Sequence, residues 1–187
     1  MAVAEKVYGD ALYDLALEED RIDEFYEEAA CLREVLSSNQ ELTTMMTHPK
    51  IDKKEKQEIL ESVFKNRISE EMLGLMIMIV DKGHFKEMDQ ILSYFADRVK
   101  ELKRIGVAYV TTPMPLSEDQ KTKVEDRLKE TTEYVSFEMN YAVDESLIGG
   151  MVVRIGDRIV DSSIKTKLEK ISRELSKVQL KVGETAS

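Results

Sequence analysis

Residues 146–163 read SLIGGMVVRIGDRIVDSS. Two adjacent glycines, Gly149 and Gly150, open an apolar run, and Gly156 precedes Asp157. A phosphate-cradling loop carries G-x-x-x-x-G-K-[ST] between a strand and a helix. Here the double glycine comes before a strand pattern, and the residue after Gly156 is a carboxylate, which would repel phosphate. G-x-G-x-x-G is absent as well. The stretch therefore reads as a hairpin. MVVRI and RIV are its strands, and Gly156-Asp157 is a two-residue turn with glycine first, the type II′ preference. Gly149-Gly150 then allows a bend or a close backbone approach where the strand enters its sheet.

The neighbouring segments agree with a small sheet. VAYVTT is β-rich and is stopped by Pro113 and Pro115. Ser117 to Gln120 spells a capping box that opens a helix with Val124 and Leu128 inward. Val135, Phe137, Met139, Tyr141 and Val143 then alternate with more polar residues, the period of a half-buried strand. Ile164, Leu168, Ile171, Leu175 and Val178 recur at spacings of four, three, four and three, which predicts a final helix. Residues 105–181 thus read as a small α+β domain. Residues 182–187 read as a flexible tail.

The first 104 residues have a different texture. Val7, Tyr8, Ala11, Leu12, Leu15 and Ala16 form one helical stripe; Ile22, Phe25, Ala29, Leu32 and Leu36 form a second. A short helix over residues 40–46 ends near Pro49, because the residue before a proline is pushed out of helical geometry. Asp52 and Ser69 are N-cap candidates for two further helices, and Gly83 is a stop signal. Met88, Ile91, Leu92, Phe95 and Val99 mark a last helix. The expected fold is mainly α: an N-terminal six-helix bundle over residues 1–104, then the small α+β domain.

Composition excludes several functions. The net charge of −10 argues against nucleic acid, which needs clustered Lys and Arg. Cys31 stands alone, so no internal disulfide can form; its place in a helical run predicts a buried apolar role. The opening MAVAEKVYG lacks the basic and apolar regions of a signal peptide and is too acidic for a transit segment. The strongly apolar run Met72–Val80 is about half of what crosses a bilayer. His48 and His84 have no companion at i+3 or i+4, and no paired cysteines or calcium-loop pattern occurs, so neither metal nor cofactor is expected.

One segment stands out. In EEMLGLMIMIVDKG, residues 70–83, apolar side chains cover every side of the helix, whereas a helix in a small bundle usually keeps a polar outer face. Either it lies wholly inside its domain, or part of it meets a partner. Methionine-rich surfaces suit grooves that accept partner helices. The first helix, with an acidic rim of Asp10, Asp14 and Glu18, could form the other wall of such a groove.

Several short motifs, in order, resemble a known family. These are Tyr8-Gly9-Asp10-Ala11-Leu12; His48-Pro49 before a Lys-rich helix; Val80-Asp81-Lys82-Gly83-His84; and Pro115-Leu116-Ser117. The most specific is Leu147-Ile148-Gly149-Gly150 continuing through Arg154-Ile155-Gly156-Asp157 to Asp161-Ser162-Ser163. Over nearly its full length the chain is similar to the delta subunits of F-type ATP synthases, equivalents of the mitochondrial oligomycin-sensitivity-conferring protein. It departs from the usual family pattern at Gly9, where alanine is common, and at His84, where arginine is common. A glycine inside a helix costs about 1 kcal/mol against alanine.

The resemblance implies a non-catalytic stator subunit, without cofactor or small-molecule substrate, that joins the catalytic head to the peripheral stalk and resists rotor torque. It implies that the first domain binds the N-terminal helix of an alpha subunit between its first and fifth helices. Tyr8, Ala11, Leu12, Leu15, Leu73, Met76, Ile77 and Val80 are then the candidate contacts. The second domain would hold the C-terminal region of the b subunits, while Gly149, Gly150, Gly156 and Asp157 would be structural. Membrane association would be indirect, at the cytoplasmic face of a bacterial plasma membrane. Two other readings remain at this level: a small nucleotide- or phosphate-binding enzyme using the Gly149–Asp157 region, and a free acidic adaptor.

Overall fold

The computed structural model describes residues 3–164, 166 and 168. It divides into two compact units, Met1–Leu102 and Lys103–Ser187. The first contains α1 (Val3–Glu18), α2 (Ile22–Ser38), α3 (Gln40–Thr47), α4 (Lys53–Phe64), α5 (Glu70–Asp81) and a one-turn 3-10 helix (Phe85–Glu87). Helix α6 (Met88–Lys103) completes it.

Periodicity sets what each helix buries. Helix α2 encloses Phe25, Ala29, Leu32 and Leu36, at spacings of four, three and four. Helix α6 encloses Met88, Ile91, Leu92, Phe95, Ala96 and Val99. Ser69 caps α5, its Oγ accepting the Met72 N–H at 3.3 Å. Glu28 of α2 in turn accepts both the N–H and the O–H of Ser69, each at 2.6 Å. At the other end Gly83 adopts φ +78°. The His84 N–H reaches the Ile79 carbonyl and the Gly83 N–H reaches that of Val80. Those two bonds satisfy carbonyls that a helix end leaves open, and glycine takes the left-handed residue without Cβ strain.

Cys31 corrects an expectation: it is exposed. It lies two residues from Ala29, roughly 200° around the helix, and so on the side away from the buried row.

The second unit contains β1 (Ile105–Thr112), α7 (Glu118–Thr131), β2 (Ser136–Val143), β3 (Val152–Ile155) and β4 (Arg158–Asp161). The sheet order is β2-β1-β3-β4. Strands β1 and β2 are parallel and joined by α7, since parallel neighbours need a crossover; the other pairs are antiparallel. Register puts Ala108, Val110, Met139, Tyr141, Val153, Ile155 and Val160 on one face. Tyr141 Oη donates to the Lys121 carbonyl of α7 across that face.

Coverage of the face is thinner than the alternation in β2 predicts. Phe137 and Met139 are half-buried, but Tyr141 and Val143 are exposed. Helix α7 buries nothing fully; Val124 and Leu128, expected inward, are half-buried. Beyond β4, Ile164 and Leu168 of the expected final helix are helical and exposed. Ile171, Leu175 and Val178 lie outside the described residues.

Candidate docking site

Helices α1 and α5 run antiparallel and are tied at both ends. Past the end of α1, Arg21 reaches Glu71 in the first turn of α5 at 3.3 Å. Past the end of α5, the His84 ring lies 6.1 Å from that of Tyr8 on α1, tilted by 52°. Arg21 is held in place by more than one acid. It bonds both carboxylate oxygens of Glu24, at 2.9 and 2.7 Å, and Glu19 at 2.9 Å, and its guanidinium sits 5.0 Å over the Phe25 ring. The bonds to Glu24 lift the guanidinium well above its ordinary pKa and hold Glu24 below the usual carboxylate range.

The opposite edge of α1 is locked to α6. Tyr94 donates to Asp10 at 3.0 Å, and Arg98 sits 3.8 Å from Asp10 and 4.8 Å over the Tyr13 ring. Burial, then the bond to Asp10, pushes the Tyr94 phenol up. Gly9 is buried, and a Cβ there would collide with the Tyr94 ring. The unusual glycine is thus a packing requirement: it gives up helix propensity so that the Tyr94 ring can approach the α1 backbone closely.

With one edge on α6, α1 presents its other edge beside α5. Tyr8 and Leu15 are half-buried there, and Val7 and Ala11 are exposed. Two rows flank the buried side of α5. One is Leu73, Ile77 and Asp81, spaced by four; it ends at Asp81, which pairs with Lys53 of α4 at 3.5 Å. The other is Glu71, Leu75 and Met78; it begins at Glu71, which pairs with Arg21 after α1. Met78 is 51% exposed, and nothing lies within 4 Å of a Cβ built on Gly74.

The candidate residues therefore separate. Leu12, Met76 and Val80 are enclosed in the core of their own unit. Tyr8, Ala11 and Leu15 line the α1 edge. Leu73 and Ile77, half-buried, belong to the row that ends at α4. Met78, exposed and absent from the sequence-based set, continues the row that begins at Glu71. No signal in the sequence could single it out, because every position from Leu75 to Val80 is apolar and the face toward α1 is set by packing.

The glycine-rich region is occupied by its own chain. The Ile164 N–H donates to the Gly149 carbonyl at 2.9 Å. Gly150 has φ +82°, and a Cβ there would strike the Ser162 carbonyl. Gly156 has φ +54° while Asp157 keeps a negative φ, the pattern of a type II′ turn joining β3 to β4. Asp161 accepts from the Ser163 N–H at 2.8 Å and the Thr166 hydroxyl at 2.6 Å. Those bonds, Thr166 first, hold its carboxyl below the usual range. Ser163 Oγ accepts the Thr166 N–H at 3.3 Å. The Asp161-Ser162-Ser163 cluster is a helix cap, not a phosphate cradle.

These features describe a helical adaptor with a small appended sheet. The family described as "ATP synthase delta (OSCP) subunit" matches residues 4–175. ATP synthase subunit delta of Lachnoclostridium phytofermentans is 47% identical, over 94% of this chain and 96% of its own. That of Natranaerobius thermophilus is 33% identical, over 94% and 97%. A chain of the Toxoplasma gondii mitochondrial ATP synthase hexamer has the same fold, with a TM-score of 0.70 at 17% identity, over 94% of this chain and 98% of that one. The chain belongs to the ATP synthase delta (OSCP) subunit family. It is a non-catalytic peripheral-stalk subunit of an F-type ATP synthase.

Proposed function

We propose that the helical unit receives the N-terminal helix of an alpha subunit in the cleft between α1 and α5. We further propose that the sheet unit holds the C-terminal region of the b subunits. The chain then ties the catalytic head to the stalk at the cytoplasmic face of a bacterial plasma membrane. The observations that carry the first contact are the ties Arg21–Glu71 and Tyr8–His84 at the two ends of α1 and α5, together with the exposure of Ala11 on α1 and Met78 on α5. Leu12, Met76 and Val80 support the floor from inside. An amphipathic helix would lay its apolar face along this strip. A standard-size interface, on the order of 1,600 Å², is compatible with nanomolar affinity, about 12 kcal/mol.

Calorimetry with a peptide of the cognate alpha N-terminus tests the reading. Met78→Asp and Ala11→Asp should each weaken binding by more than tenfold, with helix content unchanged. Leu73→Ala, on the α4 flank, should shift it less than threefold. Unaltered affinity in both aspartate variants would remove the α1–α5 cleft as the docking site.

A further inference from the structure

The sheet face beneath α7 is closed over β1, where Ala108 and Val110 are enclosed, and open toward β4, where Val160 is 62% exposed. Between α7 and the β3–β4 hairpin runs a groove of about 630 Å³. Val153, Ile155 and Val160 form its floor, and Val124 and Leu128, one turn apart on α7, form a wall. Its rim carries Lys123, Arg127 and Arg158, all exposed, and among the described residues no acidic one lines it. That sign is unexpected in a chain with 37 acidic residues against 27 basic. Helix α7 carries five acids, none of them among the lining residues; Glu118 and Glu125 pair with Lys121 and Lys129, and Arg127 of the rim itself pairs with Glu130 at 3.0 Å.

An apolar floor with a cationic rim fits an amphipathic helix whose apolar stripe is flanked by Asp and Glu. The chain's own segment 165–181 is a poor occupant by charge, with six Lys and Arg against two Glu. We propose that this groove receives an acid-flanked amphipathic helix from another subunit of the complex. The proposal rests on the reading that the sheet unit holds the b subunits, and it names the surface and the chemistry of that contact.

The test uses the full chain and two probes. One is the soluble region of the cognate b subunit. The other is a designed helical peptide with leucines at i, i+3, i+4 and i+7 and glutamates on both flanks, beside a twin carrying lysines instead. Calorimetry should show b binding that weakens at least tenfold in the triple variant K123E/R127E/R158E and in Val160→Asp. Ile159→Asp, one residue along β4 and on the opposite face, should stay within twofold. The glutamate peptide should bind the native chain, and the lysine peptide should bind only the triple variant. Circular dichroism confirms that the variants fold. If b binds but ignores the triple variant and Val160→Asp, the groove is wrong while the b reading survives. If b does not bind while the glutamate peptide does, with the charge dependence above, the b reading fails and the groove chemistry stands. Binding of neither probe overturns both. Tighter peptide binding by several-fold in Leu175→Asp would show that the chain's own C-terminal segment fills the groove, and would overturn the proposal.

Discussion

In the helical unit Phe25, Leu60, Met72, Ile79 and Phe95 are wholly enclosed. In the sheet unit Ala108 and Val110 reach that state, α7 encloses nothing, and β4 is exposed along its whole length. Helices of about two to nearly five turns can surround one another, so most of each apolar stripe finds a partner. Four strands and one described helix cannot cover both faces of a sheet. The helical unit therefore carries its stability internally. The sheet unit leaves apolar surface open, which is what an element completed by other subunits would show.

The sharpest way to break that contrast is to remove core volume. Phe95→Ala should cost about 3–5 kcal/mol in urea unfolding of the helical unit, from lost burial plus a residual cavity. A loss below about 1 kcal/mol would mean that this unit is as loosely closed as the other. Gly9→Ala comes next. Helix propensity alone predicts a gain of about 1 kcal/mol, but the collision with Tyr94 should reverse the sign, with a net cost of about 1–3 kcal/mol. Stabilisation by this alanine would show that Tyr94 can move aside freely. Ser69→Ala should cost about 1 kcal/mol, because the Met72 N–H loses its cap and Glu28 loses one donor.

Two smaller effects concern the sheet unit. Val160→Ala should change stability by less than about 0.5 kcal/mol, as at an ordinary surface position; a large loss would place Val160 in a closed core. Asp161 titrates below its ordinary range, so its contribution to stability is complete above the unfolded carboxylate pKa. It is lost as pH falls through the lower, folded value. Thr166→Val should move that titration upward toward the ordinary range, read from the Asp161 carboxyl carbon shift. An unmoved midpoint would exclude the hydroxyl as the cause.

Much of this molecule is legible in its residues. The spacing in α2 and α6, the caps at Asp52 and Ser69, the stop at Gly83 and the turn at Gly156-Asp157 depend on interactions within a few residues of one another, which local sequence encodes. The alternation of β2 was legible too, but not that its outer half stays open, because that depends on how far α7 reaches. The proposed docking wall was half legible. Tyr8, Ala11 and Leu15 follow from the α1 stripe, whereas Leu73 and Ile77 against Met78 could not be sorted in a helix apolar on all sides. The reason for Gly9 was hidden as well, since Tyr94 lies 85 positions further along the chain.

By itself, then, the sequence determined the elements, their ends, and the family through a chain of short motifs in order. Those are properties of neighbouring residues and of composition. Only the tertiary structure decided which flank of α5 meets α1, why a glycine interrupts a helix, and where cations gather beside an apolar floor. Each of these depends on groups far apart in the chain that meet only when the helices and strands pack, and packing selects among side chains that are chemically alike.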